Sequence, residues 1–196
     1  GWSVSGAGDV DGDGFDDLVV GAPNDDNNGS NSGSARVFSG ATGAALYTFD
    51  GDSANDWFGW SVSGAGDVDG DGFDDLIVGA IRDEININAK DSGSARVFSG
   101  ATGAILYTIY GDSANDDFGG SVSGAGDVNR DGFDDLIVGA RWDDNNGPDS
   151  GSARVILVLG EFTPAKPCPG DVDGDGDADF EDLSLVISNF NTSCTP

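Results

Sequence analysis

Short apolar runs separated by clusters of Gly, Asp, Asn and Ser recur along the chain, and each is too short for an amphipathic helix. In one stretch they fall at residues 60–65, 75–80, 94–99 and 104–110. Bounded by turn-forming residues, such runs predict four strands. Within the second run, Leu76-Ile77-Val78 is apolar at consecutive positions instead of alternating. That pattern predicts a strand covered on both faces.

The pattern repeats. GWSVSGAGDVDGDGFDDL begins at Gly1 and again at Gly59, and GGSVSGAGDVNRDGFDDL begins at Gly119, offsets of 58 and 60 residues. GSARVFSGATGAALYTF (33–49) returns as GSARVFSGATGAILYTI (93–109), GSARV returns at 151–155, and GDSANDWFG (51–59) returns as GDSANDDFG (111–119). The expected units are 1–58, 59–118 and 119–162. A lone four-stranded sheet of this size cannot bury both faces, so the units are expected to stack as the blades of an all-β, β-propeller-type architecture. The third unit lacks the GATGAxLYT run and continues as GSARVILVLGEF (151–162), so its blade is expected to be truncated. Three units are fewer than the roughly four to eight of a closed ring. Further blades, or copies of the chain meeting through open blade faces, are the two ways to cover the ends.

Between the first and second predicted strands of each unit lies an acidic loop. In DVDGDGFDD the carboxylates of Asp9, Asp11, Asp13 and Asp17 stand at positions 1, 3, 5 and 9, with the carbonyl of Phe15 at position 7. Hard cations take six to eight oxygens from such a mixture, and a glycine at position 6 supplies the tight turn. The second loop offers Asp67, Asp69, Asp71, the Phe73 carbonyl and Asp75; the third offers Asp127, Asn129, Asp131, the Phe133 carbonyl and Asp135. Asn129 removes one charge and Arg130 stands at position 4, so the third site is expected to be weaker. An all-protein oxygen cage favours Ca2+ over Mg2+, which keeps its waters. Soft metals want His or Cys ligands, and the chain has no His.

Charge narrows the partners. Acidic residues number 36 against 8 basic ones, a net charge of −28, which repels nucleic acid and anionic membranes. No apolar run approaches the length of a spanning helix, so membrane insertion is not expected. Without His, triad and imidazole acid–base chemistry are excluded, and the chain is not expected to be an enzyme. Met is absent, which points to processing or to a fragment.

The stretch FGWSVSGAGDVDGDGFDDLIVGA (58–80) resembles the FG-GAP repeat of the integrin alpha-subunit β-propeller. Phe58-Gly59 stands for the first signature and Val20-Gly21-Ala22-Pro23 for the second. The resemblance covers residues 1–162. It implies propeller blades whose calcium loops join first and second strands, and a part in cell adhesion; the family's propellers close with more blades than three.

Past a Pro-rich linker (163–170), GDVDGDGDADFEDLSLVISNF repeats the loop spacing with Asp171, Asp173, Asp175, the Asp177 carbonyl and Asp179. Asp182 falls at position 12, where an EF-hand closes, and Leu183, Val186, Ile187 and Phe190 recur at helical spacing. Residues 171–196 resemble one half of a type I dockerin. A single half is expected to serve as a small calcium-loop cap. Cys168 and Cys194 bracket it, and a disulfide between them is expected to pin the module in an oxidising, extracytoplasmic compartment.

The expected function is that of an extracellular or cell-surface calcium-binding repeat protein in adhesion or surface structure. The alternatives are a self-assembling filament subunit, or a module that binds surface glycans. The variable connections at 23–32, 81–92 and 141–150 are the first place to look for a recognition surface. Trp57, Phe58 and Trp60 are expected to fill the space between sheets. Asn28-Gly29-Ser30 and Asn191-Thr192-Ser193 match the glycosylation acceptor pattern.

Overall fold

The computed structural model describes residues 1–83 and 90–159. The tail residues Asp171, Asp173, Asp175, Asp177, Asp179, Asp182, Cys168 and Cys194 lie outside them.

Among the described residues, eleven strands form three antiparallel sheets. The first contains β1 (Ser3–Gly8), β2 (Asp17–Ala22), β3 (Ser34–Phe38) and β4 (Ala45–Asp50) in sequential order. The second repeats it with β5 (Phe58–Gly66), β6 (Asp75–Ala80), β7 (Ser94–Phe98) and β8 (Ile105–Tyr110). The third has β9 (Phe118–Gly126), β10 (Asp135–Ala140) and β11 (Ser152–Ile156). These are propeller-type blades, and the third has three strands among the described residues. Register repeats with them: Val19 faces Val37, Ile77 faces Val97 and Ile137 faces Val155.

Two cores fill the spaces between blades, and they match residue for residue. Ala7, Val10, Val19, Val37, Phe58, Leu76 and Val78 close the first joint; Ala65, Val68, Ile77, Val97, Phe118, Leu136 and Val138 close the second. All six residues of β6 are buried, as the unbroken apolar run requires of a strand with a sheet on each side. β10 has the same sequence, DLIVGA, yet its Ile137 is 38% exposed. Neighbours, not local sequence, decide the burial.

Backbone contacts fix the spacing of the blades. Parallel bridges tie Gly33 to Phe58 and Gly93 to Phe118, and Phe58 N–H donates to Ser32 O at 3.1 Å. Gly59 has φ +81° and runs against the Ser34 carbonyl with no room for a side chain. That approach explains why glycine follows phenylalanine there.

Candidate metal centre

Each acidic loop leaves the first strand of its blade at a left-handed glycine and re-enters at the second strand. The turns are built by carboxylates that accept backbone N–H groups of the loop itself. In the first loop, Asp9 Oδ2 accepts Gly14 N–H at 2.9 Å and Asp13 Oδ1 accepts Phe15 N–H at 2.9 Å. Asp11 Oδ1 accepts Asp13 N–H at 3.2 Å. The second loop repeats the frame with Asp67 on Gly72, Asp71 on Phe73 and Asp69 on Asp71, at 3.0, 2.9 and 3.1 Å. The third does so with Asp127 on Gly132, Asp131 on Phe133 and Asn129 on Asp131, at 3.0, 3.0 and 2.9 Å.

These turns aim oxygens at one point. One oxygen each from Asp9, Asp11 and Asp13 lies within 4.8 Å of the others, and so does one each from Asp67, Asp69 and Asp71. Oxygens around a single Ca2+ at 2.3–2.6 Å lie at most about 5 Å apart, so the spread fits that ion. Asp9 Oδ1 is buried with no hydrogen-bond partner, a costly arrangement unless a cation meets it. Crowding shows in the acidities. Partial desolvation, then the charges of Asp13, Asp17 and Asp9, raise the Asp11 carboxyl above its ordinary value. Asp69 is raised by desolvation and by Asp71 and Asp67. The residues present fit a hard divalent ion.

The position-9 residues sit differently from the other ligand candidates. Asp17, Asp75 and Asp135 are fully buried. Asp17 Oδ2 accepts Val10 N–H and its Oδ1 accepts Gly40 N–H, both at 2.9 Å. Asp75 takes Val68 and Gly100 N–H at 2.8 and 2.9 Å; Asp135 takes Val128 and Val158 N–H at 2.9 Å each. Each stitches its loop to the end of the third strand, leaving a second lone pair per oxygen for an ion. Burial pushes Asp75 up to about 6, against those two backbone hydrogen bonds and with the charges of Asp69 and Asp71.

A second set of recurring charges lies at the opposite end of each joint and was not found by loop spacing. Arg96, with a side chain 5% exposed, pairs with Asp52 at 2.6 Å and Asp83 at 2.9 Å; Arg154 pairs with Asp112 at 2.6 Å. The recurrence of GDSAND and of the Arg in GSARV was the available signal. Asp112, Asp116 and Asp143 also bring oxygens within 4.8 Å, but here protein groups already hold them. Arg154 sits on Asp112, Ser113 N–H donates to Asp116, and Ser152 Oγ–H donates to Asp143. Burial first, then the Asp83 charge, pushes Asp56 up to about 6. Burial first, then the neighbouring carboxyl of Asp112 and the Asp143 charge, does the same to Asp116.

Of Trp57, Phe58 and Trp60, only Phe58 belongs to the core of the first joint. Trp57 and Trp60 are half-buried, a departure from the expected packing role. Trp60 lies 5.0 Å from Trp2 and 5.3 Å from Trp57, and the Arg82 guanidinium caps Trp57 at 4.2 Å. They form an aromatic row on the side of the strand two–three connections. Trp57 has φ +57°, and its indole Nε1 is buried without a hydrogen-bond partner.

The FG-GAP repeat family matches residues 1–38, 58–98 and 118–156. Each segment spans the first through third strands of one blade. Integrin alpha-PS2 of Drosophila melanogaster is 32% identical over 169 residues, covering 82% of this chain and 11% of that protein. Integrin alpha-5 of Xenopus laevis is 29% identical over 186 residues, 88% of this chain and 16% of that one. Human integrin alpha-11 is 34% identical over 146 residues, 67% of this chain and 12% of that one. The chain therefore spans a small fraction of the length of these relatives. With blades, joints and loops repeating in step with the matched segments, the chain belongs to the FG-GAP repeat family, of the kind found in integrin alpha proteins.

Proposed function

We propose that this chain is an extracellular calcium-binding repeat protein with a structural and adhesive role, in which Ca2+ in the acidic loops rigidifies stacked β-blades. The observation that carries the reading is the loop frame repeated three times, with carboxylates converging on one point in the first two loops and Asp9 Oδ1 buried without a partner. The ion would be held by Asp9, Asp11, Asp13 and Asp17 with the Phe15 carbonyl, by Asp67, Asp69, Asp71 and Asp75 with the Phe73 carbonyl, and by Asp127, Asn129, Asp131 and Asp135 with the Phe133 carbonyl. Bound there, it supplies charge neutralisation that lets the carboxylates crowd. The integrin relatives support an adhesive, cell-surface setting, and among the described residues no helix is long and apolar enough to cross a membrane. Calorimetric titration with Ca2+ and separately with Mg2+ tests the reading. Calcium uptake clearly tighter than magnesium uptake is expected; equal affinities, or none, would contradict it.

Self-association is the second reading, favoured by the outer faces of the end blades. Val4, Phe15 and Leu18 are exposed on one, and Ile137, Val155 and Leu157 on the other. Such faces take another sheet inside this molecule. Light scattering of the full chain in calcium separates the two readings: long particles support a filament subunit, a single monomeric species excludes it.

A further inference from the structure

The acidic loops are fastened to one another through residues that ligation does not use. Position 8 is aspartate in all three: Asp16, Asp74 and Asp134. Asp74 Oδ2 accepts the N–H of Asp9, position 1 of the preceding loop, at 2.8 Å. Asp134 Oδ2 accepts Asp67 N–H at 3.1 Å. The backbones follow, with Asp134 N–H donating to Asp67 O at 3.2 Å. The ring at position 7 makes a second grip on position 4. A methyl group on Gly12 would lie 2.5 Å from Phe73 Cε1, and one on Gly70 would lie 2.7 Å from Phe133 Cε1. Asp74 and Asp134 are half-buried by these contacts, while Asp16 is exposed.

The tripeptide Phe73-Asp74-Asp75 therefore faces two ways. Its position-7 carbonyl and position-9 carboxylate belong to its own loop. Its position-7 ring and position-8 carboxylate hold the loop before it. Phe133-Asp134-Asp135 does the same one blade along. We propose that the cation loops are coupled in series, with Asp74 and Asp134 as positioning residues through which filling one loop favours filling the loop before it. This rests on the reading of the loops as calcium sites. An ion in the later loop orders the tripeptide, which then fixes position 1 of the earlier loop in place. The earlier site thus binds with less ordering still to be done, and by linkage the effect runs equally in reverse. The orphaned Asp9 Oδ1 belongs to the residue so fixed.

Titration of the full chain with Ca2+ alone, followed by the amide resonances of Gly14, Gly72 and Gly132, reads each loop separately. Each of these N–H groups donates to the position-1 carboxylate of its own loop. Asp74→Ala is expected to raise the calcium midpoint at Gly14 by about fivefold to tenfold, and Asp134→Ala to do so at Gly72, at the low end of ordinary coupling energies. Asp16→Ala removes the same charge from a loop that grips no other among the described residues, and is expected to leave Gly72 and Gly132 unmoved. Asp74→Asn keeps an acceptor without the charge and is expected to return Gly14 close to the unmutated midpoint. Should the alanine variants not fold, Asp131→Ala, which disables the third loop at an exposed ligand, is expected to shift Gly72 as well. If all three amides titrate but the preceding loop ignores these changes, the coupling is wrong and the calcium sites stand. If Asn behaves as Ala, charge alone is acting and the positioning role is wrong. If no amide responds to calcium, the calcium reading fails and the coupling with it.

Discussion

Two aspartates of one loop, Asp13 and Asp17, answer to different forces. Asp13 is exposed and bonds only within its turn, so on the proposed calcium reading its worth depends on the ion; Asp17 is fully buried and receives the N–H of Val10 inside its own loop and that of Gly40 beyond the third strand. Thermal melting should separate them. Asp13→Ala or Asp71→Ala is expected to lower the midpoint in calcium and change little in chelator. Asp17→Ala is expected to cost about 1–3 kcal/mol under both conditions, because it strands the buried Val10 donor as well as the partly buried N–H of Gly40. The inter-blade carboxyls carry their own pH signature. Burial first, then neighbouring carboxylates, pushes the pKa of Asp56 and of Asp116 up from 3.8 to about 6. A carboxyl raised in the folded state favours folding below its unfolded value and loses that contribution as pH rises through its folded value. In chelator, stability is therefore expected to rise on acidification from pH 7 toward about 5, and the double change Asp56→Asn, Asp116→Asn to flatten that response. A response as steep as that of the unmutated chain would assign it to other groups.

At the scale of elements, the strands and their turns were legible because the apolar runs, the glycines and the loop aspartates all recur in register. The expected 75–80 strand is β6 without adjustment, and the first strand begins earlier than expected, at Phe58, because the Phe-Gly pair bridges back to Gly33 of the previous blade. What alternation and spacing could not show is contact across a joint. Arg36, Arg96 and Arg154 occupy one repeat position, yet only Arg96 is enclosed, between Asp52 and Asp83. Arg36 is exposed and pairs with no carboxylate among the described residues. Arg96→Ala is accordingly expected to cost about 3–5 kcal/mol by leaving buried Asp83 unpaired. Arg36→Ala is expected to stay within about 0.5 kcal/mol. Chemical denaturation of the two variants measures both. The Trp57 and Trp60 rings were misread for the same reason. Their repeat positions touch a blade joint, but the rings lie half-buried at its edge, Trp60 against Trp2 and Trp57 beneath Arg82.

At the scale of the molecule, two joints with matching cores make a short stack in which, among the described residues, the middle blade is covered twice and each end blade once. Val10 and Val68 are buried by the blade that follows, whereas Val128, at the same position, is 54% exposed. The loops line one end of every joint and the Arg–Asp clusters the other, so each joint is held by an apolar middle with polar fastenings at both ends. On the proposed reading calcium would act on the first of those fastenings, and three loops filled at a hundredfold over their dissociation constants would each add about 2.7 kcal/mol. The central claim is that divalent ions in these loops hold the stacked sheets in shape. Its most direct test is the melting midpoint of the full chain in excess calcium against the same chain in excess chelator at pH 7. The account requires the midpoint in calcium to be higher by roughly 10 °C or more; coincident midpoints would contradict it.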